Sequence, residues 1–94
     1  MAFYVYLLAN RRNGTLYLGM TDDLARRVHE HREAINRGFS QRYGVKQLVW
    51  YEVHDSREAA FTRERQMKAW KRGWKLRAIE EMNPDWADLY ETLQ

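Results

Sequence analysis

The stretch Thr15 to His31, TLYLGMTDDLARRVHEH, decides how the chain is read. Its first part, TLYLGM, has the apolar character of a strand and carries one tyrosine and one glycine. Thr21 then offers a helix N-cap, and Asp22 and Asp23 suit the positive end of a helix dipole. The helix is expected to run to about Asn36, with Leu24, Val28 and Ile35 as its buried stripe and His31 continuing the spacing. Arg27 and His31, four residues apart, share a face beside that stripe. Strand, cap and helix bring Tyr17, Arg27 and His31 toward one edge.

Upstream, Phe3 to Ala9 (FYVYLLA) is a second strand, and the intervening NRRNG is turn chemistry, with Asn13-Gly14 the point most tolerant of positive φ. A hairpin follows. Pairing residues whose numbers sum to 23 puts Phe3, Val5 and Leu7 on one apolar face with Met20, Leu18 and Leu16, and a one-residue slip would destroy that face. In this register Tyr6 and Tyr17 are directly opposed, about 5 Å apart at Cβ. Gly19, lacking a side chain, leaves room beside them for a ligand.

Downstream, Gly38 ends or interrupts the helix and Phe39 to Gly44 reads as a loop. Leu48 to Val53 is a third strand, apolar almost throughout and therefore expected at the centre of the sheet. Ser56 caps a second helix from about Arg57 to Trp70, lined by Ala60, Phe61 and Met67. Gly73 marks a break before a third helix from Trp74 to Met82. Asn83 then caps, and Pro84 opens, a short acidic helix over Asp85 to Leu93, docked by Trp86, Leu89 and Leu93. The order β-β-α-β-α-α is an α+β fold with helices packed on a three-stranded sheet.

Ninety-four residues support one modest core, so 1–94 is expected to be a single domain. With 45% hydrophobic, 14% aromatic and 31% charged residues the composition is globular. The absence of cysteine excludes disulfides and thiolate zinc sites, and three unclustered histidines make no structural zinc site. No apolar run approaches a membrane span, so a cytoplasmic protein is expected. The pI near 9.4 matters less than how the charge is distributed. Residues 57–77 hold eight Lys or Arg against two acids, whereas 78–94 hold five acids and no Lys or Arg. A basic segment of this kind is either a solvated face or the footprint of phosphate-backbone binding.

Five side chains carry alternatives. Glu64 sits at the edge of the second helix's apolar stripe and either pairs with Lys68, four residues on, or holds Mg²⁺ together with phosphate oxygens and water. Arg27 is either an exposed helix charge paired with Glu30 or a planar clamp on phosphate. His31 either fills core space with its ring or joins a site. Tyr6 and Tyr17 are either cross-strand aromatics or, helped by nearby positive charge, activators of water. Taken together they meet the needs of phosphodiester hydrolysis: a group to activate water, a cation for the pentavalent oxygens and a carboxylate for a metal.

The sequence resembles the GIY-YIG nuclease family, especially its small single-domain members. Tyr4-Val5-Tyr6 stands at the first signature tripeptide and Tyr17-Leu18-Gly19 at the second, and Thr21, Leu24, Arg27 and His31 follow at the family's spacing. Arg63-Glu64-Arg65 with Lys68 and Trp70 is similar to the second-helix motif, and Asn83-Pro84-Asp85-Trp86 with Asp88-Leu89-Tyr90 to the ending of the small members. The resemblance implies that Tyr6 and Tyr17 orient or deprotonate water, Arg27 stabilises the transition state, His31 assists a tyrosine or contacts phosphate, and Glu64 binds one divalent ion. Asn83 corresponds to an asparagine near the site in other members, although its capping role explains it equally well. Tyr4 departs from the family by replacing the first glycine, and Ser40 lies where some homing members carry a further histidine.

The expectation is therefore a divalent-metal-dependent DNA endonuclease, using one Mg²⁺ or Mn²⁺ and serving DNA repair or processing. Tyr6, Tyr17, Arg27, His31 and Glu64 are its catalytic residues, Glu64 its metal ligand, and Gly19 and Asn83 shape the site. Lys68, Lys71, Arg72 and Lys75 grip DNA. Branched or nicked DNA is the expected partner, with RNA open as a second substrate, the chain a monomer or weak homodimer, and the location the cytoplasm or nucleoid. Two other classes compete: a nucleic-acid-binding module that does not cleave, and a protein-interaction domain using the acidic tail and tryptophans.

Overall fold

The computed structural model describes residues 2–33 and 44–93. Its elements are β1 (Phe3–Ala9), β2 (Leu16–Thr21), α1 (Leu24–Arg32), β3 (Gln47–His54), α2 (Arg57–Lys68), α3 (Arg72–Met82) and a 3-10 turn over Leu89–Leu93. The strands form one antiparallel sheet in the order β2-β1-β3. The α+β class and the β-β-α-β-α-α order are as the sequence implies.

Alternation along β1 divides the core into two layers. Val5, Leu7 and Ala9 pack with Val49 and Trp50 against Ala60 and Met67 of α2 and Ile79 of α3. Tyr6 and Leu8 pack with Leu48 against Leu24 and Val28 of α1, and the 3-10 turn adds Leu89 and Leu93. Val5 through Ala9 are all sealed from solvent, so the central strand is β1 and not β3. β3 is apolar because helices and the 3-10 turn cover both its faces, although it lies at an edge. Between the pairs Leu7 with Trp50 and Leu8 with Leu48, Val49 is an extra residue, and this bulge turns both Val49 and Trp50 into the first layer.

The hairpin closes at Asn10 and Thr15. The Asn10 side-chain oxygen accepts from the Thr15 amide at 2.9 Å, Gly14 N–H donates to the Arg11 carbonyl at 2.9 Å, and Asn13 takes φ 58°. This longer turn moves the register by two residues from the expected pairing, to Tyr4 with Thr21, Tyr6 with Gly19 and Leu8 with Tyr17. An even shift preserves both faces, so the apolar set is the expected one, but Tyr6 and Tyr17 are not directly opposed. The space over Gly19 is also filled: a Cβ there would lie 2.6 Å from the Tyr6 hydroxyl oxygen and 3.0 Å from the Tyr17 ring. Glycine admits the two rings rather than leaving a cavity.

Helix boundaries shift for local reasons. Asp23, not Thr21, caps α1, its carboxylate accepting from Arg26 N–H at 3.2 Å, while the Thr21 hydroxyl accepts from Asp23 N–H at 3.0 Å and shapes the approach. The expected extension to Asn36, with Ile35 on its stripe, the Gly38 break and the loop of residues 39–43 lie outside the described residues. Ser56 caps α2 as expected, accepting from Ala59 N–H at 3.1 Å. α2 ends at Lys68, and Phe61 leaves the buried line of Ala60 and Met67 to stand 49% exposed. The break falls before Gly73, at the extended Lys71, and Gly73 is already inside α3.

No helix starts at Pro84. Asn83 ends α3, its N–H donating to the Ile79 carbonyl at 2.7 Å. Its buried side chain donates to the Val49 carbonyl at 3.2 Å and the Ala87 carbonyl at 2.8 Å and accepts from Ala87 N–H at 3.0 Å. Trp86 follows with φ 55°, buried, its indole N–H on Glu80 at 3.1 Å. Asp88 then accepts from the Leu48 N–H at 3.1 Å, so Asn83 and Asp88 together tie down backbone groups of the β3 edge. The Asn83 side chain is thus engaged at the β3 edge, on Val49 and Ala87. Asn83→Ala strands these buried partners and should lower stability by about 2–3 kcal/mol, measured by urea denaturation.

Candidate functional site

β1 supplies Tyr6, β2 supplies Tyr17, and α1 lays Arg27 and His31 over them. Tyr6 is fully buried, and its hydroxyl lies 3.1 Å from His31 Nε2. Tyr17 packs on the His31 ring with centroids 4.9 Å apart, and the two tyrosine rings are 6.2 Å apart. Arg27 stands close enough to both phenols to act on them electrostatically and ion-pairs with Glu30 at 3.3 Å. Tyr4, the family departure, leans away onto Tyr51 of β3, centroids 6.5 Å apart.

The electrostatics follow from burial. Desolvation pushes the Tyr6 phenol up to about 12; the neighbouring Arg27 guanidinium opposes the rise, while Tyr17 and Glu64 add to it. Tyr6 therefore stays protonated at neutral pH. Burial holds His31 below the ordinary imidazole value, the neighbouring Arg27 lowers it further, and Glu30 works against both. Since the folded state binds this proton less readily, its stability contribution is full above pH 6.5 and is lost as pH falls through 6.5 and then through the lowered folded value. His31→Gln, which keeps an acceptor for Tyr6, should flatten the dependence of Tm on pH below 6.5; equal slopes in variant and wild type would refute the assignment.

Glu64 on α2 is only 12% exposed at its side chain and meets Lys68 Nζ at 3.6 Å. Among the described residues no group of three His, Cys, Asp or Glu converges. A single nearly buried carboxylate suits Mg²⁺ or Mn²⁺, which use few protein ligands and complete their shell with water and phosphate oxygens. It does not suit zinc.

The four cations expected to grip DNA separate into different settings. Lys68 lies with Glu64 and is 61% exposed at its side chain. Lys71 stands in the turn before α3. Arg72 is engaged by the hairpin, donating to the Asn13 carbonyl at 2.8 Å and to the Gly14 carbonyl. Lys75 borders the same hairpin end beside Thr15 and Leu16. A different set adjoins Arg27: Arg26, Arg57 and the exposed Phe61 border a groove of about 500 Å³ between α1 and α2. The signal for them is Arg57, Phe61 and Arg65 at four-residue spacing, a basic-aromatic-basic row in which Arg65 covers the Phe61 ring at 5.5 Å.

Comparison with known proteins places the chain in a family. The chain is 36% identical over 78 residues to a UPF0213 protein of Haloquadratum walsbyi, covering 83% of this chain and 86% of that one. It is 30% identical over 78 residues to a UPF0213 protein of Staphylococcus saprophyticus, covering 83% and 94%. The solution NMR structure of the UPF0213 protein BH0048 from Bacillus halodurans superposes with a TM-score of 0.58 at 26% identity, over 94% of this chain and 93% of that one. The GIY-YIG catalytic domain matches residues 2–84, across both tyrosine tripeptides, α1 and the Glu64 helix. By that match and these relatives the chain belongs to the GIY-YIG family.

Proposed function

We propose that this protein is a divalent-metal-dependent endonuclease that hydrolyses DNA phosphodiester bonds, acting on branched or nicked DNA in repair or processing. The observation that carries the reading is Arg27, a permanent cation beside two phenols, with the nearly buried Glu64 carboxylate close enough to act on Tyr6. Arg27 offers its remaining guanidinium donors to the phosphate oxygens, whose charge grows as water attacks in line. Tyr6, sealed and bonded to His31, fixes the position of the imidazole. Tyr17 is only partly buried, so contact with the attacking water falls to it rather than to Tyr6. Glu64 would hold the Mg²⁺ or Mn²⁺, which when bound neutralises phosphate charge. Arg26 and Arg57 extend the cationic surface along the groove, and Lys68 adds charge at its Glu64 end.

The test is cleavage of supercoiled plasmid and of flap, branched, nicked and single-stranded DNAs by wild-type protein with Mg²⁺ or Mn²⁺, against chelator. Metal-dependent nicking supports the reading. Salt-sensitive binding with no turnover on any of these substrates would replace it with the binding-module alternative.

A further inference from the structure

On the other face of the sheet from the tyrosines, β3, α2 and α3 border a groove of about 510 Å³. Three of the chain's four tryptophans line it: Trp50 on β3, Trp70 just after α2 and Trp74 on α3. Trp70 and Trp74 meet edge to face with centroids 6.0 Å apart. Arg63 lies over Trp70 at 5.0 Å and is held by two bonds to Glu52, at 3.0 and 3.3 Å, so this wall is rigid and its charge is cancelled.

Trp74, Arg77 and the indole N–H of the otherwise core-packed Trp50 are open to a ligand, and Glu81 sets a carboxylate on the same wall. Trp74 is 58% exposed. Arg77 lines the groove with no hydrogen-bond or ion-pair partner among the described residues. Trp50 is 94% buried by its 6% exposure, yet its indole N–H has no acceptor in the protein and is not sealed off, which leaves it open to the groove. A ligand that satisfies all three has a flat ring to stack on indole, an acceptor for the Trp50 N–H and an anionic group for Arg77.

Spacing adds direction. Lys71, Trp74 and Arg77 recur every three residues, a cation-aromatic-cation row that matches the phosphate-base-phosphate order of a nucleic-acid strand. The volume suits a single nucleotide unit. We propose that this groove binds one unpaired nucleotide of a single strand, its base on Trp74 and its flanking phosphates toward Arg77 and Lys71. A duplex keeps its base faces stacked inside and offers nothing to the indole. Binding here does not require cleavage, because the groove contains none of Tyr6, Tyr17, Arg27, His31 or Glu64.

Tryptophan fluorescence of the full chain, titrated in chelator with short oligothymidylate, reads the site directly. Saturable quenching is expected, with affinity in Trp74→Ala weakened roughly tenfold or more by the loss of one stacked base. Arg77→Gln should lower the slope of log affinity against log salt by about one contact. Trp74 is exposed, so its truncation spares the core. The proposal is overturned if Trp74→Ala binds as tightly as wild type, or if blunt duplex or an abasic strand of equal phosphate number quenches as well as oligothymidylate. Self-association of wild-type protein that Trp74→Ala abolishes would assign the groove to a second copy and overturn it too. A negative result here leaves the plasmid and branched-DNA assay untouched.

Discussion

Glu64→Gln should abolish cleavage while the protein stays folded and continues to bind DNA. Only the charge is removed, and the isostere fits the same nearly buried position on α2. Its ion pair with Lys68 is half in water, with Lys68 61% exposed at its side chain, so losing it should change stability by at most about 1 kcal/mol. Loss of metal-borne charge stabilisation, worth several kcal/mol, should lower kcat a hundredfold or more. DNA affinity in chelator should hold or rise slightly, because a negative charge has gone from a cationic surface. Mn²⁺-induced NMR broadening around α2, present in wild type and absent in the variant, separates ligand loss from a packing effect. If cleavage survives, the carboxylate serves only Lys68.

Arg27→Ala carries the second large effect. Removing an oriented donor from a developing oxyanion costs about 2.7–4 kcal/mol, or about 10²–10³ in kcat. Arg27→Lys keeps the charge but loses the planar fork, and should recover only part of the rate. The substitution also has a readout that needs no substrate. Arg27 holds the His31 pKa down, so in Arg27→Ala the imidazole should titrate at higher pH than in wild type, followed by its ring protons in NMR. An unchanged His31 titration would place the guanidinium away from the cluster.

The two faces of the hairpin are legible in the sequence because face membership depends only on whether a residue is odd or even. Register is not, since it depends on how Asn10 closes the turn, and two registers differing by two residues produce the same apolar face. The likeness of β3 to a buried strand misleads about its position in the sheet, because coverage by helices and centrality leave the same apolar run. Asn83 shows a limit of another kind. An asparagine before a proline satisfies the local rules for starting a helix, while the bond that decides its role reaches Val49, 34 residues back.

The membership of the candidate cluster is legible through residue type and family spacing, but not its internal wiring. The bond between Tyr6 and His31 joins residues 25 apart and depends on how α1 settles on β1. Likewise Arg72 reads as a free cation until the hairpin carbonyls are seen to claim it. Phe61 reads as core because it neighbours Ala60, and only the line from Ala60 through Glu64 to Met67 shows that it lies outside the buried stripe.

The ties from Asn83 and Asp88 to β3 also set an order of events during synthesis. β3 and its neighbour β1 leave the ribosome before residue 88 does, so through that interval the strand presents Leu48 N–H and the Val49 carbonyl as an unclosed template. Nascent chains truncated between His54 and Asn83 should therefore be the ones that chaperones hold and that pair wrongly with one another. Emergence of Asn83 and Asp88 ends that exposure, so the segment after α3 acts as a clasp on the newborn sheet.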